Sequence, residues 1–145
     1  MPPWLYLTSN SKAASTVAIL YLVRGLPGSG KSTFAKTLHC LHVEADMYFQ
    51  RDGQYVFDGK KLELAHRWCE KTAFLAMQAG LDVCVSNTFV QRWQMQPYID
   101  KAASTGHNVK IISISQQYAN IHEVPQATIE KMKKDWQRIA GEEIR

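Results

Sequence analysis

The fold is decided by the stretch Tyr21-Leu22-Val23-Arg24-Gly25-Leu26-Pro27-Gly28-Ser29-Gly30-Lys31-Ser32-Thr33. It begins as an apolar strand, turns through three glycines and continues as the start of a helix. Within it, Gly25, Gly30, Lys31 and Ser32 satisfy the pattern G-x-x-x-x-G-K-[ST], the signature of a phosphate-binding loop. The strand before the loop and the helix after it are the context that this motif requires. We therefore interpret the stretch as a site for the phosphates of a nucleotide.

Each residue type in this loop has a physical role. We expect Gly25, Gly28 and Gly30 to adopt positive φ, so that the backbone curls around an anion without a Cβ in the way. The curled N–H groups form an anion-binding nest, and the following helix directs its positive end to the same place. Lys31 is expected to bridge the β- and γ-phosphates, and the Ser32 hydroxyl to ligate Mg²⁺. The predicted cofactor-binding residues are Gly25, Leu26, Pro27, Gly28, Ser29, Gly30, Lys31, Ser32 and Thr33.

Composition restricts the class of protein. The chain has 145 residues, enough for one domain with a sizeable core, and 46% of them are hydrophobic. No apolar run is long enough to cross a bilayer, so we expect no membrane partner. The three cysteines, Cys40, Cys69 and Cys84, are few, odd in number and located in predicted helices or strands, which favours reduced thiols in a cytoplasmic protein. The net charge of +4 is compatible with a nucleotide or nucleic-acid partner but does not require one.

Strands and helices alternate along the chain. Four strands are predicted, over 17–23, 41–45, 81–86 and 109–114, and four helices, over 31–39, 60–79, 91–104 and 126–140. This alternation implies parallel βαβ units with right-handed crossovers. The fold class is therefore α/β, a three-layer α/β/α sandwich around a parallel sheet of about four strands. We expect residues 1–16 to be a mobile N-terminal tail, 17–140 the folded domain and 141–145 a C-terminal tail.

Some details inside these elements can also be predicted. The segment 48–58 contains Asp52-Gly53, a turn signal, and is expected to be a small excursion above the sheet. The helix over 60–79 is expected to bury the stripe Leu64, Ala65, Trp68, Leu75 and Ala76. Trp93 and Tyr98 are expected to pack beneath the helix over 91–104.

Polar side chains follow two of the predicted strands. Asp46 comes after the second strand, and Asn87 stands at the end of the third. In open parallel sheets, ligands bind beyond the carboxyl ends of the strands. We therefore expect the phosphate loop, Asp46 and Asn87 to converge on one edge of the sheet.

An ordered series of motifs extends from Leu22 to about Trp136 and resembles the polynucleotide-kinase-like P-loop ATPases. That group includes the kinase domain of bacteriophage polynucleotide kinase and the eukaryotic proteins like the second NEDD-four-binding protein. The matching pieces are Arg24 to Thr33, Ala45-Asp46-Met47-Tyr48-Phe49, Gly53-Gln54-Tyr55-Val56-Phe57-Asp58, Ala65-His66-Arg67-Trp68, Ser86-Asn87-Thr88, Trp93-Gln94-Met95-Gln96-Pro97-Tyr98 and Asn120-Ile121-His122-Glu123-Val124-Pro125.

The resemblance implies a P-loop kinase fold that uses ATP and Mg²⁺. By resemblance, Lys31 and Asp46 are the catalytic residues, and Asp46 is the general base that takes a proton from the attacking hydroxyl. The alternative for Asp46 is a cap on the turn after the second strand. Tyr48, Arg51 and Asn87 are expected on the substrate side, where Arg51 would hold an acceptor phosphate or simply face solvent.

The sequence departs from the family pattern in three places. The family has an acid at the end of the third strand, where this chain has Ser86-Asn87-Thr88 with no carboxylate. Phe89 stands where an Asn is usual. Tyr118-Ala119 occupies the place of one or two lid arginines, a type of residue that can contribute about 10³ to 10⁵ in rate.

Two functional hypotheses remain from the sequence. The first is an ATP-dependent kinase whose hydroxyl acceptor is a nucleic-acid 5′ end, a nucleotide or a small molecule. The second is a nucleotide-binding protein with weak or no transferase activity that acts as a switch or interaction module. A hydrolase that uses the same loop is a third option, and the sequence does not choose between ATP and GTP.

Overall fold

The computed structural model of the protein describes residues 17–116 and 124–145. Its main sheet has five strands: β1 (Ile19–Gly25), β2 (Leu41–Val43), β5 (Val83–Asn87), β6 (Asn108–Ile114) and β7 (Glu143–Ile144). Two short strands, β3 (Gln50–Arg51) and β4 (Gln54–Tyr55), form a separate antiparallel hairpin. The helices are α1 (Lys31–Lys36), α2 (Leu62–Gln78), α3 (Gln96–Thr105) and α4 (Gln126–Asp135), with 3₁₀ turns at Ala45–Phe49, Gly59–Lys61 and Arg92–Gln94.

The main sheet is parallel throughout. Its strand order is β2-β5-β1-β6-β7, and β1 lies at the centre, where Leu22 is in register with Val85 on one side and Ile111 on the other. Because all the strands point the same way, the segments that follow β1, β2 and β5 meet at one edge of the sheet. The predicted α/β class is confirmed, with five strands instead of four.

Hydrophobic side chains cover both faces of the sheet, which gives three layers. On β1, Leu20 and Leu22 belong to the larger core, which α2 and α3 help to form, whereas Val23 faces the smaller core under α1 with Ala35. This division follows from the two-residue period of a strand, which sends successive side chains to opposite faces. Strands buried on both faces read as nearly continuous apolar runs, as the β1 sequence does.

The buried face of α2 differs from the predicted stripe. Leu64 and Leu75 are 48% and 60% exposed, so their place in the stripe was wrong. The buried residues of this helix are Ala65, Cys69, Ala73, Ala76 and Met77. Four of these five have small side chains, and they lie three or four positions apart over most of the helix, so α2 packs closely against the sheet.

The first part of the predicted helix over 91–104 is a 3₁₀ turn. Trp93 lies in that turn and is 68% exposed, so its predicted burial was wrong, while Tyr98 in α3 is buried as expected. The Trp93 indole N–H donates to Gln91 Oε1 at 3.0 Å. A short 3₁₀ turn has three residues per turn, so helical spacing does not predict which of its side chains face the core.

The carboxyl end of the chain is part of the fold, whereas the sequence predicted a tail over 141–145. β7 pairs with β6, where Glu143 is in register with Ile112, and the Arg145 amide donates to the Ser113 carbonyl at 2.8 Å. The pairing satisfies backbone groups on β6 that would otherwise form an open edge. The helix predicted over 126–140 ends at Asp135, and Trp136 continues with an extended backbone.

The excursion predicted over 48–58 is present as the β3–β4 hairpin. Its turn is formed by Asp52 with φ 51° and Gly53 with φ 77°, in agreement with the turn signal. The predicted tail over 1–16 and Tyr118-Ala119 lie outside the described residues. In the part of the chain that the structure describes, no helix combines the length and the hydropathy that a bilayer span needs.

Candidate functional site

The phosphate loop connects the end of β1 to the start of α1. Gly28 and Gly30 have φ values of 83° and 87°, as predicted, a conformation that glycine adopts at no steric cost. The loop is closed by the Ser29 amide, which donates to the Leu26 carbonyl at 3.1 Å, and by the Phe34 amide, which donates to the Gly30 carbonyl at 3.0 Å. These two hydrogen bonds therefore hold the loop backbone in its curled conformation.

Gly25 is required for a different reason from the one predicted. It is the last residue of β1 and is not among the residues with positive φ, so that expectation was wrong. A Cβ at this position would lie 2.3 Å from Ser29 Oγ and 3.1 Å from the Ile114 carbonyl oxygen. The loop folds back so closely on the end of the strand that only glycine fits.

Lys31 begins α1 and faces two carboxylates across the edge of the sheet. Burial lowers the pKa of the Lys31 ammonium, and the negative charges of Glu44 and Asp46 oppose that shift. Because the effect of burial is the larger, the protein compensates this cation only in part. A partly desolvated ammonium beside a curled row of amides is suited to an additional anion, such as a phosphate.

Glu44, which the sequence analysis did not identify, lies beside the loop. The Ser32 hydroxyl donates to Glu44 Oε2 at 2.6 Å, and the Ser86 hydroxyl donates to the same oxygen at 2.9 Å. His42 Nε2 lies 2.7 Å from Ser86 Oγ. The sequence feature that could have identified Glu44 is that it is a second acid, two positions before Asp46 and directly after the short strand β2.

Asp46 lies in the first turn of the 3₁₀ segment Ala45–Phe49. The Tyr55 hydroxyl on the hairpin donates to Asp46 Oδ1 at 3.4 Å. Burial and the Asp46 charge raise the pKa of Tyr55 to about 12. Burial lowers the pKa of His66 on α2, and the Asp46 charge opposes that shift. The Asp46 charge therefore acts on the hairpin, on α2 and on Lys31, while Glu44 is hydrogen-bonded to the loop serine.

Asn87 joins the ends of β2 and β5. Its Oδ1 accepts a hydrogen bond from the Ala45 amide at 3.0 Å, and its Nδ2 donates to Cys69 Sγ at 3.7 Å. Asn87 is 8% exposed. Its amide fixes the segment that carries Asp46, and its predicted contact with a substrate stays a prediction.

Tyr48 and Arg51 line a common cleft of about 210 Å³ beside the hairpin. The other lining residues are Phe49, Val56, Asp58 and Lys61. The Tyr48 ring packs 6.2 Å from the Trp68 ring, centroid to centroid, which holds it against α2. Arg51 is exposed, and its charge is at the surface of the cleft.

A family model described as an AAA domain matches residues 20–139. The chain belongs to the AAA domain family. The match includes the loop, the 3₁₀ segment with Asp46 and the end of β5, so the residues of the site lie inside the matched part. The resemblance to polynucleotide-kinase-like P-loop ATPases is confirmed.

This AAA domain is similar in sequence to a curated human protein. It is 34% identical over 149 residues to human NEDD4-binding protein 2, a match that covers 91% of this chain and 8% of that protein. The chain thus spans less than a tenth of the length of this curated relative.

Solved structures share the fold at low identity. The structure of the Pnkp1/Rnl/Hen1 RNA repair complex matches with a TM-score of 0.62 at 17% identity, over 87% of this chain and 46% of that one. A sugar kinase from Janibacter sp. matches with a TM-score of 0.57 at 12% identity, over 88% of this chain and 83% of that one. These likenesses show that the AAA domain has a P-loop kinase fold.

The residues of the AAA domain fit the groups that this fold implies. Main-chain amides and Lys31 present positive charge to a phosphate, and the close approach at Gly25 keeps the loop tight. Ser32, Glu44 and Ser86 present oxygen atoms, the donor type that Mg²⁺ prefers. The site therefore has donors suited to a magnesium–nucleotide complex and, on its other side, a carboxylate next to a cleft.

Proposed function

We propose that this domain is an ATP-dependent kinase that transfers the γ-phosphoryl group of ATP to a hydroxyl acceptor. The observation that carries the proposal is the position of Asp46, whose charge acts on Lys31 and whose carboxylate accepts a hydrogen bond from Tyr55 of the hairpin. A phosphate-binding loop on one side of the edge and a carboxylate on the other is the arrangement that phosphoryl transfer needs.

On the donor side, the loop amides and Lys31 bind the phosphates. Lys31 is the catalytic cation, since an ammonium between the β- and γ-phosphates compensates charge that develops as the phosphoryl group leaves. The Ser32 hydroxyl would hold magnesium. When bound, magnesium would neutralise charge on the phosphate oxygens.

On the acceptor side, Asp46 is the general base. The attacking hydroxyl loses its proton as the new P–O bond forms, and a carboxylate within hydrogen-bond reach accepts it. The Tyr55 hydroxyl, 3.4 Å from Asp46 Oδ1, holds the carboxylate toward the hairpin. The 3₁₀ segment that carries Asp46 also carries Tyr48, which lines the cleft together with Arg51.

The acceptor is a hydroxyl compound that enters this cleft. Arg51 and Lys61 provide two positive charges at its rim, opposite the single acid Asp58. This excess of positive charge favours an acceptor that also carries a negative group. A nucleic-acid 5′ end, a nucleotide and a phosphorylated small molecule all satisfy that condition. Cys40, Cys69 and Cys84 are free thiols, which supports a reducing compartment such as the cytoplasm.

One observation favours a second candidate, a nucleotide-binding module with little transfer. The end of β5 carries the Asn87 amide and no carboxylate, and both ends of that amide are engaged in hydrogen bonds. A site without an acid there has less means of orienting the acceptor or the metal-bound water.

Transfer from labelled ATP to a panel of hydroxyl acceptors tests the proposal. The matched control for Asp46→Asn is Asp52→Asn, because Asp52 is exposed at the hairpin turn and Asn tolerates its positive φ. We expect Asp46→Asn to lower the transfer rate by about 10² to 10⁴ and Asp52→Asn to leave it unchanged. Undiminished transfer by Asp46→Asn would remove Asp46 from its role. Nucleotide binding without transfer to any acceptor would support the second candidate, and phosphate release without an acceptor would indicate a hydrolase.

A further inference from the structure

We propose that Glu44 supplies the carboxylate of the divalent-cation site, from the end of β2, next to the Ser32 hydroxyl. The inference rests on the proposed function, in that the cation is the one that accompanies the nucleotide. Glu44, at the end of β2, thus takes the role of the carboxylate that is missing at the end of β5.

Three separate elements bring oxygen atoms to one point. Ser32 lies in the first turn of α1, Ser86 lies in β5, and Glu44 follows β2 directly. Both hydroxyls donate to Oε2 of Glu44, at 2.6 Å and 2.9 Å. Glu44 and Ser86 are 42 positions apart in the chain, and the parallel pairing of β2 with β5 brings them together.

The direction of these hydrogen bonds suits cation binding. Each hydroxyl turns its proton toward the carboxylate, which leaves the lone pairs of Ser32 Oγ and the Ser86 lone pair that His42 does not occupy available to another partner. A negative carboxylate beside neutral hydroxyl oxygens is a typical donor set for a hard divalent cation. The Glu44 side chain is 19% exposed, so the position can be reached from solvent.

His42 contacts both Ser86 and the Glu44 carboxylate. Its Nε2 lies 2.7 Å from Ser86 Oγ and 3.6 Å from Glu44 Oε2. His42 and Glu44 are two positions apart, so they lie on the same side of the extended segment. An outer partner of this kind orients a ligating group, which makes His42 a positioning residue.

The two acids of the segment therefore have different tasks. Glu44 is hydrogen-bonded to the loop serine, on the nucleotide side. Asp46 is hydrogen-bonded to Tyr55, on the acceptor side. The competing explanation is that Glu44 only holds the Ser32 side chain in place, and measurements of cation binding separate the two explanations.

The experiment uses Mn²⁺ as a paramagnetic substitute for Mg²⁺ and a non-hydrolysable ATP analogue. Mn²⁺ affinity in the ternary complex is measured by electron paramagnetic resonance for the wild type, Glu44→Gln and Glu63→Gln. Glu63 is the matched control because it is exposed on α2 and its ion pair is with the exposed Arg67. Affinity for the analogue without metal is measured in chelator, as a check that the loop is intact.

We expect Glu44→Gln to weaken Mn²⁺ binding by about 10- to 100-fold. Its affinity for the nucleotide analogue without metal should equal or exceed that of the wild type. Glu63→Gln should match the wild type in both measurements. The double variant Glu44→Ser with Ser86→Asp moves the carboxylate from the end of β2 to β5, at the other end of the hydrogen bond between these two residues. We expect this double variant to recover Mn²⁺ affinity. Equal Mn²⁺ affinity in the wild type and Glu44→Gln would overturn the inference while leaving the proposed function intact. A double variant that binds nucleotide but remains as weak as Glu44→Gln would overturn the placement of the cation between these elements. A wild type that binds neither analogue nor Mn²⁺ would overturn both proposals.

Discussion

Arg24 Nη1 lies 3.1 Å from Glu142 Oε1, although 118 positions separate the two residues. Both side chains are buried, with 0% and 4% of their surface exposed. The other guanidinium nitrogens donate to the carbonyls of Phe89 and Val90, each at 3.0 Å. The residue just before the phosphate loop thus ties the end of β1 to the segment after β5 and to the carboxyl-terminal segment.

Glu142→Gln tests this connection. The substitution leaves the Arg24 guanidinium buried without its counter-charge, so we expect the free energy of unfolding to fall by about 3–5 kcal/mol. Equilibrium unfolding in urea measures the change. The neighbouring Glu143→Gln is the control, because Glu143 is 53% exposed and its loss is expected to change stability by less than about 0.5 kcal/mol. If both variants unfolded at the same urea concentration, the ion pair would have no structural importance.

Gly25→Ala tests the close approach in the loop. The added Cβ would lie 2.3 Å from Ser29 Oγ and 3.1 Å from a backbone oxygen, so the loop must move. We expect affinity for magnesium–ATP, measured by calorimetry, to fall by about tenfold or more, which corresponds to about 1.4 kcal/mol. Gly59→Ala is the control, because its Cβ would meet nothing closer than Phe57 at 3.8 Å. Unchanged affinity in Gly25→Ala would show that the loop accommodates a side chain there.

Substitutions of Phe89 test whether the backbone is strained just after β5. Its φ of 43° is in the left-handed region, which costs a non-glycine residue about 1–2 kcal/mol. Both Phe89→Ala and Phe89→Gly lose the ring contact with Tyr98, but glycine relieves the strain. We therefore expect Phe89→Gly to be at least as stable as Phe89→Ala in urea unfolding. At Val85, inside the buried strand β5, we expect Val85→Ala to be more stable than Val85→Gly. If alanine were more stable than glycine at Phe89 as well, the result would contradict backbone strain at Phe89.

His42 gives the domain a dependence of stability on pH. Burial lowers the pKa of His42 below its ordinary value of 6.5, with Glu44 opposing the shift and Lys36 adding to it. The unfolded chain then takes up a proton at a higher pH than the folded one. The contribution of His42 to stability is therefore complete above about pH 6.5 and falls as the pH drops below it, by at most about 1.4 kcal/mol per pH unit.

Urea unfolding at pH 7.5 and pH 5.5 measures this effect in the wild type and in His42→Asn. We expect the variant to lose less stability on acidification than the wild type does. The pKa of His66 is also lowered by burial, so the comparison of the two proteins is what isolates His42. An identical loss in both proteins would assign the pH dependence to other groups.

The sequence was informative where a local pattern has one structural solution. The loop from Gly25 to Ser32, the alternation of strands and helices, and the Asp52-Gly53 turn each follow from residues close together in the chain. The parallel order of the strands then places Asp46 near the loop without further information.

The parts that were missed depend on contacts between distant residues. β7 has two residues, too few to show a period, and it forms because β6 offers an unpaired edge. The partner of Arg24 is 118 positions away, and the importance of Glu44 depends on Ser86, 42 positions away. Exposed Leu64 and Leu75 show a related limit, since helical spacing alone does not decide which of two apolar faces is buried.

The central claim is that the loop amides and the Lys31 ammonium bind the phosphates of a nucleoside triphosphate. Calorimetric titration with magnesium–ATP tests it most directly, on the wild type, Lys31→Ala and Lys36→Ala, the last being an exposed lysine at the other end of the same helix. The account predicts binding by the wild type, the same affinity in Lys36→Ala and a loss of about 10- to 100-fold in Lys31→Ala, the magnitude of one charged hydrogen-bond partner. A wild type that binds no nucleoside triphosphate, or a Lys31→Ala variant that binds as tightly as the wild type, would contradict it.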